Sequence, residues 1–248
     1  FDFKNDEQLA EIANSLLEDK AKHRQLKDNA YQYGLKLRWP EIGNVYINTL
    51  DKAIKMVKTP KRAIPPIIDV DSMPALNLSH VALLTDDTGI IQHAKFGIPN
   101  LKEGYCIDDN ARALILSLLA YEQDKNQKAL KLMPVYLSFI QYMQREDGNF
   151  RNFLSFNRNY LDEVGSEDSF GRTVWSLGYL ICAAPNNSYR EFGRELFSNS
   201  VKHFKDLKYI RSIANTIIGI GYYLKAHDGD ELLVNEINRL SATLVKAY

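Results

Sequence analysis

The alternation of very short and very long connections between amphipathic segments constrains this chain most. From about residue 75 onward, apolar residues recur at helical spacing over 75–84, 108–123, 127–145, 168–184, 189–206, 210–227 and 230–247. Connections such as Pro185-Asn186-Asn187-Ser188 and His227-Asp228-Gly229-Asp230 are so short that the flanking helices must be antiparallel neighbours. The connections at 85–107 and 146–167 are long, polar and aromatic, and long loops in a compact helical domain are usually functional. Helical hairpins with short loops at one end and long acidic loops at the other describe an all-α fold of α/α-toroid type. About three hairpins follow a leading helix, so the toroid is expected to be incomplete if a full one needs six.

Ahead of these hairpins the chain is also helical but differently organised. Asn5 followed by Gln8 suggests a capping box, with Leu9, Ile12, Ala13, Leu16 and Leu17 at helical spacing. A second helix is expected from about Lys22 to a stop at Gly34. A third starts at Trp39-Pro40, with Ile42, Val45, Tyr46, Thr49, Leu50 and Ala53 on one face. Pro60, Pro65 and Pro66 then sit among Lys61, Arg62 and small apolar residues, which reads as a stiff linker. The expected organisation is a helical segment at 1–58, a linker at 59–73 and the hairpin region at 74–248. The chain opens on Phe1 and runs straight into a helix, so we read it as a piece of a longer polypeptide.

Lys plus Arg and Asp plus Glu both total 31 in 248 residues, so no net field recruits nucleic acid or an anionic membrane. No apolar run reaches the roughly 20 residues that span a bilayer. Two cysteines, Cys106 and Cys182, are too few for a disulfide scaffold and lack metal-ligand spacing, so a reducing cytoplasm is expected and no metal or cofactor.

The chemistry concentrates in two acidic runs. One is Gly104-Tyr105-Cys106-Ile107-Asp108-Asp109-Asn110-Ala111-Arg112; the other is Gly165-Ser166-Glu167-Asp168-Ser169-Phe170-Gly171-Arg172. Each places adjacent carboxylates where a loop gives way to a helix, the place where free amides and the helix dipole best tolerate negative charge. Asp108, Asp109 and Glu167 are the candidate catalytic carboxylates. Asp109 would be a general acid and Asp108 a nucleophile or water-activating base, at a separation that decides retention or inversion. Asp168 and Arg172 would orient a sugar, as would Asp86, Asp87, Gln92, His93 and Arg112. Tyr105 and Trp175, with Phe150, Phe153, Phe156 and Tyr160, could stack on sugar rings. The competing structural readings are equally concrete: Asp108 and Asp168 as helix caps with Glu167 left free, Asp109 paired with Arg112, Asp86 and Asp87 in a turn, and the aromatics as packing.

Several strings resemble known families. Glu7-Gln8-Leu9-Ala10, Leu16-Leu17-Glu18-Asp19, Leu26, Asn29-Ala30 and Trp39-Pro40-Glu41 resemble the last helices of a retaining GT-B-fold glycosyltransferase of the glycosyltransferase-4 type. The donor-binding domains of that family have no counterpart in this sequence. Asn77-Leu78-Ser79-His80-Val81, the stretch from Thr85 to Ala94 and both acidic runs look like the region attached C-terminally to some bacterial members. Asp108-Asp109-Asn110-Ala111 is similar to the acid pair of α/α-toroid endo-α-mannanases, with Arg112 where those enzymes carry an aromatic residue. The run from Arg145 to Phe150 resembles the Asp-Gly-x-Phe corner of α/α-toroid proteins.

The resemblances imply a glycosyltransferase parent whose attached six-hairpin-glycosidase-like region takes a carbohydrate partner, with the absent GT-B domains as a further partner in cis. Three uses of the hairpin region remain open: binding a glycan, cleaving one, or serving as a scaffold.

Overall fold

The computed structural model describes residues 5–56 and 76–247. The chain folds as two compact units, Phe1–Met73 and Pro74–Tyr248. The stretch expected as a linker, 59–73, lies outside the described residues.

Among the described residues of the first unit there are three helices, α1 (Asp6–Glu18), α2 (Lys20–Leu35) and α3 (Trp39–Met56). Asn5 caps α1 by accepting the Gln8 amide at 2.9 Å. α2 begins two residues earlier than the periodicity suggests, because Asp19 accepts the amides of Ala21 at 3.0 Å and Lys22 at 2.9 Å. Gly34 lies inside its last turn rather than ending it. Neither α1 nor α2 has a buried residue, and Leu17, Trp39 and Ile54 are 76%, 84% and 70% exposed.

The second unit is built from helical hairpins: α4 (Ser79–Leu84), α5 (Ile107–Asp124), α6 (Gln127–Met143), α7 (Glu167–Ala183), α8 (Asn187–Ser200), α9 (Ile210–Ala226) and α10 (Glu231–Ala247). α5 packs on α6, α7 on α8 and α9 on α10, while α5, α7 and α9 lie side by side. One row of helices therefore forms an inner layer and their hairpin partners an outer one. This is the all-α hairpin fold that the loop alternation implies. Leu114, Ile140, Leu177, Leu180, Ile213, Ile220 and Leu240 belong to one continuous core between the layers, each at most 1% exposed.

Among the described residues, two helix boundaries and four short strands differ most from expectation. α4 starts at Ser79, where the Asn77 side chain accepts the Ser79 amide at 2.9 Å. α8 stops at Ser200 and continues as a 3-10 segment, Val201–Asp206. Four short strands escaped the periodicity because two residues carry no alternation. β1 (Ala94–Lys95) pairs with β2 (Ile98–Pro99), and β3 (Tyr105–Cys106) pairs with β4 (Phe153–Leu154), both antiparallel. The second pair ties the two long loops together beside α5.

α7 and α9 approach closely enough that they touch backbone on backbone. A Cβ on Gly178 would lie 2.1 Å from the Gly219 carbonyl oxygen, and one on Gly171 would lie 2.6 Å from that of Ser212. Glycine inside a helix costs about 0.5–1 kcal/mol relative to alanine, and here that cost accompanies an approach no side chain would allow.

Candidate functional site

The short loops joining α5 to α6, α7 to α8 and α9 to α10 put the starts of α5, α7 and α9 at the same end of the unit, where both acidic runs meet. α5 follows Cys106, which supplies no side-chain cap, so Asp108 is not the cap the sequence suggested. Its first turn carries Asp108 and Asp109 instead. The Cys106 thiol donates to Asp108 Oδ1 at 2.9 Å and to Asp109 Oδ2 at 2.8 Å. Burial and these two carboxylates push the thiol pKa well above its ordinary range. Arg112 Nη2 donates to Asp108 Oδ2 at 3.1 Å and also to Asp109 Oδ1.

α7 is capped by Ser166, whose hydroxyl accepts the Ser169 amide at 3.2 Å, so Asp168 is not the cap either. Asp168 takes Arg172 Nε on Oδ2 at 3.2 Å and Arg211 Nε on Oδ1 at 2.6 Å. Arg172 Nε also lies 3.9 Å from Asp108 Oδ2, joining the two acidic runs. Arg172 therefore serves the aspartates and not Glu167. Three arginines and three aspartates form a chain of charge across the first turns of α5, α7 and α9. Four carboxylate oxygens of Asp108, Asp109 and Asp168 take arginine N–H groups, and the remaining two, Asp108 Oδ1 and Asp109 Oδ2, share the Cys106 thiol.

Glu167 is not free, contrary to expectation. Its Oε2 accepts the amides of Lys208 at 2.8 Å and Tyr209 at 3.1 Å, and the Ser212 hydroxyl at 3.1 Å. Those groups open α9, which has no side-chain cap of its own. Glu167 thus caps a neighbouring helix from across the interface, favoured by that helix's unsatisfied amides and dipole.

The loop before α5 is fixed by other predicted residues. Asp86 Oδ1 accepts the amides of Thr88 at 2.8 Å and Gly89 at 3.2 Å, and its Oδ2 accepts the Tyr105 hydroxyl at 2.5 Å. Tyr105 is 1% exposed, so it does not stack on a ligand, and burial with the Asp86 bond pushes its pKa up to about 12. Asp87 is surface-exposed and pairs with Arg158 Nη2 at 2.9 Å; that pairing lowers its pKa. His93 is exposed before the β1–β2 hairpin, apart from these residues. Trp175 packs partly buried against the core, two turns below the charged rim. Phe150 is buried, whereas Phe153, Phe156 and Tyr160 are 38%, 46% and 41% exposed.

Two hollows flank the rim. One of about 300 Å³ brings Gln92, Asp109 and Arg112 against Val81, Ile90 and Leu116. The other, about 220 Å³, is lined by Asn149, Glu167, His203 and Asp206 around Phe170. Sequence reasoning missed Arg211, His203 and Asp206, which no local pattern connects to the acidic runs. It also missed Asn110, whose amide group donates to the Cys106 carbonyl at 2.9 Å and accepts the Ile90 amide at 3.0 Å, locking the loop onto α5. Among the described residues, Cys106, Asp108 and Asp109 offer ligand atoms within 4.8 Å of one another. A cation there would have to displace the thiol proton and sit beside the Arg112 guanidinium.

No family model and no curated protein matches this sequence. Among solved structures, the chain is similar to a sugar epimerase from a ruminal bacterium, with 15% sequence identity and a TM-score of 0.54. The match covers 63% of this chain and 48% of that one, so the chain spans about half the length of its structural neighbour. At that identity the likeness is one of fold. No helix among the described residues is long and apolar enough to cross a membrane.

Proposed function

We propose that the hairpin unit binds a carbohydrate across the charged rim at the starts of α5, α7 and α9. The observation that carries this reading is the convergence of Arg112, Arg172 and Arg211 with Asp108, Asp109 and Asp168 between two hollows. Sugar hydroxyls both donate and accept, and alternating guanidinium and carboxylate groups meet them in both senses. Arg112 and Arg211 have side chains 51% and 71% exposed, so N–H groups remain available to a ligand. Phe156 and Tyr160 offer partly exposed aromatic faces on the neighbouring loop, with the Arg151 guanidinium 4.1 Å from the Tyr160 ring centre. The fold likeness to a sugar epimerase is consistent with sugar handling. The resemblance to glycosyltransferase tails supports a glycosyltransferase parent, and the low cysteine count fits a reducing cytoplasm.

Binding is favoured over hydrolysis because arginines and the Cys106 thiol hold the aspartates in place, while each carboxylate oxygen keeps a further lone pair for a sugar hydroxyl. A second reading, glycoside hydrolysis by Asp108 and Asp109, has one observation behind it: a carboxylate oxygen of each lies within 4.8 Å of the other, near the ~5 Å separation of retaining enzymes. The test is titration with a panel of α- and β-linked oligosaccharides, with reducing ends assayed in parallel. We expect binding without release, weakened about tenfold or more by Arg211→Gln, the loss of one charge-assisted hydrogen bond. Release that Asp109→Asn abolishes would establish the second reading instead. No binding to any member of the panel would end both.

A further inference from the structure

The opposite end of the same unit, where the short loops lie, holds a separate cleft of about 440 Å³. Its chemistry-bearing lining is Cys182, Asn187, Arg190, Glu191, Arg194 and His227, drawn from the end of α7, the start of α8 and the end of α9. Arg190 and Arg194 are four residues apart, so they share one face of α8. Arg190 is held in place by its Nε, which donates to the Ile181 carbonyl at 3.2 Å and leaves its terminal N–H groups uncommitted to that bond. Arg194 pairs with Glu191 at 3.2 Å, and both side chains are substantially exposed. α8 carries no acidic residue in its first turn, so its positive dipole end is not neutralised locally.

His227 closes the cleft from α9. Its ring stacks on Tyr223 with centroids 4.9 Å apart, which fixes the ring plane. Its Nδ1 is buried and has no hydrogen-bond partner, one of only four such buried side-chain atoms among the described residues. The start of α8 is itself capped by Asn186, whose side chain accepts the Tyr189 amide at 2.9 Å. Two guanidinium groups, an imidazole and the Asn187 side chain thus converge on one cleft against a single carboxylate, Glu191.

We propose that this cleft binds a phosphoryl group, free or carried on a sugar. Planar guanidinium forks match the oxygens of phosphate, and the cleft has room for more than the phosphoryl group itself. The site is independent of the charged rim, and its failure would leave the carbohydrate reading untouched.

Cys182 supplies a direct readout because it lines the cleft. Its alkylation in the full chain would be followed by peptide mass spectrometry, so that Cys106 is counted separately, with inorganic phosphate or glucose 6-phosphate as probe. Protection of about threefold is expected once the probe reaches twice its Kd. Arg194→Gln should remove the protection, while Arg194→Lys should keep part of it. Because Arg194 is substantially exposed and makes no bond to another helix, the thermal melt should stay unchanged in both variants.

Stronger protection by glucose 6-phosphate than by inorganic phosphate would identify a sugar phosphate as the ligand; equal protection would identify the phosphoryl group alone. Equal protection by sodium chloride at matched ionic strength, or by acetate, would overturn the proposal. So would protection that survives Arg194→Gln.

Discussion

The two acidic runs look alike in sequence and are used in opposite ways. Aligned by helix position rather than by their acid pairs, they differ by one residue. Ile107 and Glu167 each open a helix; Asp108 and Asp168 come second, each with its arginine four residues on. In the first run the extra acid follows, as Asp109, and faces a hollow with Arg112. In the second it precedes, as Glu167, and reaches across to hold the start of α9. The position that one run fills with a fully buried isoleucine, the other fills with a carboxylate serving a neighbouring helix. A shared acid pair is therefore no evidence of a shared role.

The sharpest way to break this comparison is to exchange the opening residues. Ile107→Glu would bury a carboxylate without a partner, and should cost about 3–5 kcal/mol or prevent folding. Urea unfolding measures it, and a cost under about 1 kcal/mol would mean that Ile107 is not part of the core. Glu167→Ala should cost about 2 kcal/mol, the loss of a charge-assisted cap. Hydrogen exchange should quicken at residues 208–212, and unaltered protection there would refute the brace. Gly171→Ala should cost about 1–3 kcal/mol because its Cβ meets the Ser212 backbone, although the equivalent residue in the first run, Ala111, is an alanine.

A pH titration separates the two runs through one group, the Cys106 thiol. The raised thiol pKa of Cys106 means that the unfolded chain loses this proton at lower pH than the folded one does. Its contribution is complete below the ordinary thiol value of 9.0 and declines as pH rises above it. The slope should approach about 1.4 kcal/mol per pH unit, and Cys106→Ala should flatten it between pH 9.0 and 10.0. Beyond 10.0 Tyr105 adds a loss of the same sign, because its folded pKa of about 12 is also raised. Ser166, at the matching position of the second run, has no proton to lose in this range. The smallest effect is expected from Arg172→Gln, about 0.5 kcal/mol, since partly exposed ion pairs stabilise little. A double-mutant cycle with Asp108→Asn would show whether the 3.9 Å link between the runs carries any coupling.

The hairpins were legible in the sequence because apolar spacing and short loops are local signals. So was the placement of both acidic runs at helix starts. The one-residue offset between them was not, since it depends on whether the helix opens just before the acid pair, as at Ile107, or on it, as at Glu167, and the acid pair masks that difference. The partners of Glu167 lie 41 to 45 residues away, and Arg211 lies 43 residues from Asp168. Pairings of that span leave no periodic trace. Tyr105 was misjudged for the same reason: its aromatic ring suggested stacking, and only the distant turn at Asp86 explains its burial.

The glycine seam between α7 and α9 has a mechanical consequence. At Gly171 and Gly178 the two backbones meet with no side chain between them, so an added methyl group there would push α7 and α9 apart. That would separate Asp168 from Arg211 and Glu167 from the α9 start that it caps. Where α5 meets α7, Arg172 Nε and Asp108 Oδ2 lie 3.9 Å apart, against 2.6 Å between Arg211 Nε and Asp168 Oδ1, so the first acidic run is joined to the second by a looser link than the one joining the second to α9.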